Sequence, residues 1–249
     1  MSAQGAWYAR SGSKVSELYT IMHLPYTSMV LSYTLIGAAF APTIYMNRLI
    51  LTLVAYFLGL GLSAHALNEL NARHWGKALT KIEMQVLFVA PLIGALVIGV
   101  YATQILYSAT GTLSASVVLL LFMGVETFFL FAYNTEFSRG RFHSDLAFAF
   151  SWGALPTLVS FYVNALTITV PAIFVSTAMA ATAGIEISLS RWCKEFRRRN
   201  ALTMMRFSDS SEVKLNTTEL IARPEKALKL IVAAVDLAAI GLILHQLIP

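Results

Sequence analysis

A histidine, an asparagine and a glutamate recur at helical spacing within Ser63 to Lys81, SAHALNELNARHWGKALTK. His65, Asn68 and Glu69 stand at i, i+3 and i+4, with Ala72 at i+7, so a helix puts all of them on one face while Ser63, Ala64 and Leu67 point elsewhere. The residues before them are apolar, so this face belongs to the end of a helix crossing hydrocarbon. An ionisable side chain there costs at least about 2.5 kcal/mol, and such groups turn toward a bundle interior or a wet cavity. Arg73, His74 and Lys77 lie closer to the end and suit headgroups. Glu69 and His65 lie one and two turns deeper and suit a cavity.

Similar groups stand near the ends of other apolar runs: Glu126, Tyr133 and Asn134 in one, Glu186, Ser188 and Ser190 in another. Asp236, in the last run, falls near the bilayer centre. Carboxylates gathered under a rim of Arg73, Lys77, Arg139, Arg141, Arg191 and Lys194 have the chemistry of a polyanion site, with a divalent cation between them. Glu126 and Asp236 read equally well as structural groups bonded to neighbouring helices. His65, His74 and His143 have no carboxylate or cysteine at ligand spacing and read as packed or headgroup-facing rather than metal-bound. Schiff-base chemistry has no lysine: the last run carries Lys226 and Lys229 only at its mouth, and its middle is Val235-Asp236-Leu237.

What must position these groups is a membrane bundle. Hydrophobic residues make up 57% of the 249 residues, charged residues only 12%, and the mean hydropathy is +0.67, values that exclude an ordinary soluble domain. The spacing predicts an all-α polytopic bundle of about seven transmembrane helices, at Leu24 to Phe40, Asn47 to Leu70, Ile82 to Leu106, Ser114 to Tyr133, Leu146 to Leu166, Ile168 to Leu189 and Glu225 to Leu247. Only a thin polar break, Asn164 to Thr169, divides the fifth from the sixth. Pro42, Pro171 and Pro224 are expected at helix edges, and Pro91 and Pro156 as kinks inside spans.

Lys and Arg cluster before span one and after spans two, four and six, which the positive-inside rule satisfies with a cytoplasmic N-terminus. The chain then divides into a polar cytoplasmic segment (1–20), a transmembrane bundle (21–199), a cytoplasmic loop (200–223), with a short interfacial helix as an option within it, and a C-terminal transmembrane helix (224–249). Residues 1–20 lack the apolar core of a cleavable signal peptide. One cysteine, Cys193, excludes an internal disulfide framework. The basic residues lie between apolar runs rather than interleaved on one surface, so no nucleic-acid partner is expected. The expected setting is the cytoplasmic or plasma membrane, with the polar site on the cytoplasmic side.

Two blocks carry a resemblance. His23-Leu24-Pro25-Tyr26-Thr27, the small residues Gly37-Ala38-Ala39 and the helix end Ala66-Leu67-Asn68-Glu69-Leu70 form the first. Tyr133-Asn134-Thr135-Glu136, Gly140-Arg141-Phe142-His143-Ser144-Asp145-Leu146 and Trp152-Gly153 form the second. Together, over about the first 200 residues, they resemble the UbiA superfamily of intramembrane prenyltransferases, in its menaquinone-type branch. The family's second helix ends in Asn-Asp-x-x-Asp-x-x-x-Asp, and a second aspartate-rich motif follows the sixth helix. Here Asn68 keeps the asparagine, Glu69 replaces the first aspartate, and Ala72 and Gly76 stand where the next two fall; the stretch Glu186 to Arg199 offers no aspartate.

The resemblance implies magnesium, held by Asn68, Glu69 and Glu186, with Asn68 and Glu69 as the catalytic pair. It also implies a polyprenyl diphosphate bound by Arg73, Lys77, Arg139, Arg141, Arg191 and Lys194, beside a pocket of His65, Glu126, Tyr133 and Asn134. Cleaving an allylic carbon–oxygen bond concentrates charge on diphosphate, which cations relieve, and arginine forks fit phosphate oxygens best. The allylic cation needs a dry aromatic channel, for which Tyr133, Phe148, Phe150, Trp152, Phe161 and Tyr162 are candidates. Two functions follow: transfer of a polyprenyl group to a lipid or aromatic acceptor, or a non-catalytic lipid-binding or complex-assembly subunit that keeps the fold without the aspartates.

Overall fold

The computed structural model describes residues 6–10, 12–72, 78–200 and 202–248. It is an all-α polytopic membrane bundle in which, among the described residues, six helices are long and apolar enough to span a membrane; the first of the seven expected spans is too short to be one of them. Arg73 and Lys77 lie outside the described residues.

Helix α1 (Lys14–Ile21) begins at Ser13, whose hydroxyl accepts from the Ser16 amide. It breaks at His23, which takes the left-handed conformation at φ 44°, and Pro25 sits in the first turn of α2 (Leu24–Ala39), where no amide partner is needed. At 16 residues α2 reaches about 24 Å by the usual helical rise, shorter than the other spans. It is buried along nearly its whole length because it stands in the middle of the bundle. The second span is one continuous helix in three parts: α3 (Met46–Tyr56), a π-helical stretch (Phe57–Ala64) and α4 (His65–Ala72). Helices α5 (Lys81–Thr110) and α6 (Leu113–Asn134) follow. The fifth span repeats the tripartite plan, with α7 (Asp145–Phe148), a π-helical stretch (Ala149–Ala154) and α8 (Leu155–Ala165). Pro156 stands just past that π stretch and cannot donate to the carbonyl four residues back, so the wider turn takes up the irregularity foreseen as a kink.

The thin break after span five is real: Leu166 turns left-handed at φ 57°, and Thr169 caps α9 (Val170–Arg199) through its side chain. Residues 200–223, expected to be a loop, instead hold an antiparallel hairpin, β1 (Leu202–Arg206) with β2 (Glu212–Asn216). Helix α10 (Thr217–Leu247) starts earlier than foreseen, behind a capping box of Asn216 and Glu219, and Pro224 lies within it.

Contacts fix the ends. Lys14 reaches Glu83, Asn71 reaches Asn134, Arg191 reaches Asp145 and Arg197 reaches Glu225, all at one end. At the other end Asn164 accepts from the Tyr45 amide, and the buried Arg48 donates to the Val163 carbonyl at 2.8 Å. Among the described residues, every lysine and arginine except Arg48 lies toward the first end, which is the basic end. Helix α2 packs on α10, α8, α3 and α9. Two close approaches require glycine: a Cβ on Gly37 of α2 would fall on the Thr157 carbonyl of α8, and one on Gly153 of the second π stretch would strike the backbone of Met179 and Ala180 in α9.

Gly37→Ala and Gly153→Ala are therefore expected to push helices apart, at a cost of about 2 kcal/mol and a melting temperature lower by about 4–8 °C in detergent. Gly124→Ala, where an added Cβ meets nothing, is expected to lose none. Size-exclusion thermostability of the purified variants checks both.

Candidate functional site

The basic end of the bundle gathers an aromatic and imidazole chamber from four elements. Because α4 follows the π stretch directly, His65 turns into the bundle and is 7% exposed. Its ring lies flat on His23, with centroids 4.5 Å apart and planes 11° from parallel, and 5.0 Å from Trp152, which the other π stretch carries inward. Trp152 stacks on Phe148 at 5.1 Å, and Phe148 lies against Tyr26 and Tyr133. The two π turns thus aim the two halves of this wall at each other, an arrangement typical of the functional uses of such turns. His65 Nε2 has no partner among the described residues.

Above the stacked imidazoles stands Glu69, half-buried, its Oε1 4.0 Å from His23 Nε2. Asn68 is half-buried beside it. The N-terminal segment covers the same spot: the Tyr8 hydroxyl sits 3.1 Å from His23 Nδ1, and Trp7 packs edge-on against Tyr8. Burial pushes the Tyr8 phenol above its ordinary value, Arg197 offsetting part of that, so it stands here as a neutral hydroxyl.

Behind Tyr8 and Tyr26 lies a second, smaller cavity of about 30 Å³, bordered by Glu186, Ser190 and Arg197, with room for about one or two waters. Glu186 is 2% exposed, and its Oε1 has no partner among the described residues. Arg197 is held by Glu225 of α10. Tyr8 shares the lining of that cavity with Glu186, while its hydroxyl meets His23, whose other ring nitrogen lies 4.0 Å from Glu69. Neither carboxylate joins a metal cluster: among the described residues no three His, Cys, Asp or Glu gather where they could hold a metal ion. Asn68 and Glu69 stand on α4 and Glu186 on α9.

The other expected residues distribute as follows. Tyr133 is buried in the chamber wall, stacked on His143 at 4.5 Å. Asn134 is buried and structural: it donates to Leu130 of its own helix, and its carbonyl accepts from Asn71 at 2.7 Å. Arg191, expected on a diphosphate, binds Asp145 at 2.7 Å, the Tyr133 hydroxyl at 3.2 Å and the His143 carbonyl at 3.1 Å, so its guanidinium holds the turn between spans four and five. Lys194, Arg139 and Arg141 are exposed at the rim, and neither of these arginines makes an ion pair among the described residues. Glu126 sits deeper, accepting from Tyr56, in a groove whose lining includes none of His65, Asn68 or Glu69. Among the expected channel aromatics, Phe150 is 40% exposed, while Tyr162 donates to Ala115 toward the opposite end and Phe161 packs with Ala41 and Ala172.

Sequence reasoning missed Tyr8, His23 and Tyr26 as site residues. The signal available was His23-Leu24-Pro25-Tyr26, since a histidine directly before a proline-led helix start is placed where the chain turns into the bundle. Comparison with protein-family models, with curated proteins and with solved structures finds nothing that matches this chain.

If Arg191 anchors the turn, Arg191→Gln is expected to raise amide exchange across residues 135–145 about fivefold, the worth of a partly exposed charged cluster. Lys194→Gln is expected to leave that exchange unchanged. Hydrogen-exchange mass spectrometry of the detergent-solubilised protein compares the two.

Proposed function

We propose that this chain is a UbiA-like intramembrane prenyltransferase, divergent in its metal ligands, that moves a polyprenyl group from its diphosphate to a lipid or aromatic acceptor. The observation that carries the reading is the chamber at the basic end. There the helix end bearing Asn68 and Glu69 stands directly over a wall of His23, Tyr26, His65, Phe148 and Trp152. An allylic group needs such a wall, because electron-rich ring faces stabilise a developing cation while their bulk excludes water. The diphosphate, as leaving group, needs positive charge at the mouth, and Lys194, Arg139 and Arg141 stand exposed there, with Arg73 and Lys77 following the helix of Glu69 in sequence.

The residues take separate roles in this scheme. The polyprenyl chain lies in the bundle with its first carbon against the ring faces. Rim cations receive the charge that accumulates on the diphosphate as the carbon–oxygen bond breaks. Glu69, beside His23, is placed to accept the proton that the acceptor loses as its new bond to carbon forms. No step is routed through magnesium. The basic end then faces the cytoplasm by the positive-inside rule, with the N-terminus on the same side.

A second reading is favoured by a specific observation. Arg191, the arginine best placed to reach a phosphate, is taken up by Asp145, Tyr133 and His143, which suits a subunit that holds a lipid without cleaving it. Purified protein incubated with radiolabelled polyprenyl diphosphates and extracted membrane lipids, with and without magnesium, separates the two. Transfer of label to an organic-soluble product, lost about a hundredfold in Glu69→Gln as for a general base, is expected. Binding of the diphosphate with no turnover supports the non-catalytic reading, and no binding at all removes both.

A further inference from the structure

A separate cavity lies away from the chamber at the basic end. It is a half-open groove of about 110 Å³ between the second, third, fourth and fifth spans, lined by Tyr56, Gly59, Leu92, Met123, Leu130 and a single carboxyl group, Glu126. Glu126 lies eight residues before the end of α6 at Asn134, about 12 Å into the span at the usual helical rise. Its Oε1 accepts from the Tyr56 hydroxyl at 2.8 Å. Its Oε2 is shielded from solvent and has no partner among the described residues, although the groove wall around it is apolar. A carboxyl oxygen left bare in hydrocarbon is among the costliest arrangements a bundle can carry. The groove therefore provides an apolar slot with one unanswered polar atom at its base.

We propose that this groove binds a lipid alcohol, its hydroxyl on Glu126 Oε2 and its chain running along the slot into the bilayer. A hydroxyl both donates and accepts, so it satisfies that oxygen whether the carboxyl group is ionised or neutral. The size fits the head of such a molecule: an apolar cavity of about 150 Å³ takes a benzene-sized ligand, so the groove holds the first few carbons and leaves the rest to the membrane. A diphosphate or a phosphate headgroup does not suit it, for no lysine or arginine lines the groove. Gly99 leaves room for the end of the Met123 side chain in the wall, which an added Cβ would displace. This site is independent of the reading of the basic end and stands whether or not that end takes a diphosphate.

The test uses the full chain in phosphatidylcholine nanodiscs with a photoactivatable, diazirine-bearing hexadecanol as probe. Crosslinks are expected within residues 51–60, 92–102 and 119–130, with hexadecanol competing about fivefold better than hexadecyl methyl ether, the worth of one net hydrogen bond. Glu126→Leu is expected to abolish that preference for the alcohol while the apolar wall still takes both competitors. Where Glu126→Leu does not yield folded protein, Ala55→Phe, which fills the slot from the facing helix, is expected to remove crosslinking from all three segments. Equal competition by alcohol and ether on the unaltered protein, or crosslinks scattered over the outer faces of α5 and α9, overturns the proposal, since ordinary bilayer chains then account for the groove.

Discussion

A polar group inside hydrocarbon has no water to turn to, and the whole architecture follows from where this chain places the groups that remain there. Three cross-helix bonds show the rule. Ser32 on α2 donates to Asp236 on α10 at 2.7 Å, Tyr56 on α3 donates to Glu126 on α6 at 2.8 Å, and Arg48 donates to the Val163 carbonyl of α8. Each pairs an ionisable residue with a group on another helix, so each fixes a helix pair as well as giving that residue a polar partner. Arg48 is the instructive case. Among the described lysines and arginines it alone lies away from the basic end, and it is buried at 7% exposure, with Tyr45 stacked on its guanidinium. A residue that would weaken the charge asymmetry of the two ends is instead absorbed into the junction between spans two and five.

The same rule explains why α2, though short, organises the bundle. Its side chains are nearly all buried, and its polar residues Ser32 and Thr34 answer either Asp236 or its own backbone at Val30. With α10, α8, α3 and α9 around it, α2 faces lipid hardly at all, and its length is set by packing rather than by membrane thickness. Gly37 lets it approach α8 at backbone distance. A central helix of this kind has no amphipathic stripe to display, because every face is an interior face.

Hydropathy made the spans legible because the hydrocarbon imposes a length that the apolar runs must match, and the run from Ser114 to Tyr133 lies within one residue of α6 at each end. The helices that overran their apolar runs did so into water. Helix α9 continues through Arg197, Arg198 and Arg199, where Glu195 pairs with the last two, and a count of apolar residues stops at the membrane rather than at the helix end. The face shared by His65, Asn68 and Glu69 was legible for the same local reason, since all three lie on α4. Which way that face points was not legible, because the π stretch from Phe57 to Ala64 intervenes. It changes the rotation of His65 relative to every residue before it, and two glycines in FLGLGLSA are a weak sign of that in sequence. The fate of Arg191 was hidden too. Its partners come from Asp145, Tyr133 and His143, and only the folded turn between spans four and five, with Glu136, Ser138 and Arg139 in the left-handed region, brings them within reach.

The N-terminal segment shows how a polar stretch takes part in a membrane site without entering a span. Trp7 and Tyr8 are anchored by Lys229 over the Trp7 ring and by His23 beneath the Tyr8 hydroxyl, while Arg10 lies over Tyr19 and hydrogen-bonds Thr20 through its backbone. These contacts tie residues 7–10 to α1, α2 and α10 together. The segment therefore cannot leave the mouth without breaking contacts on three helices, and while it stays, Tyr8 closes the small cavity of Glu186 and shields the stacked imidazoles of His23 and His65. Glu186, itself 2% exposed, shares the lining of that cavity with Trp7 and Tyr8 from the segment and Tyr26 from α2. The aromatic cover and the two π turns act on one place from opposite directions, the turns bringing rings inward from the bundle and the segment laying rings over them from outside.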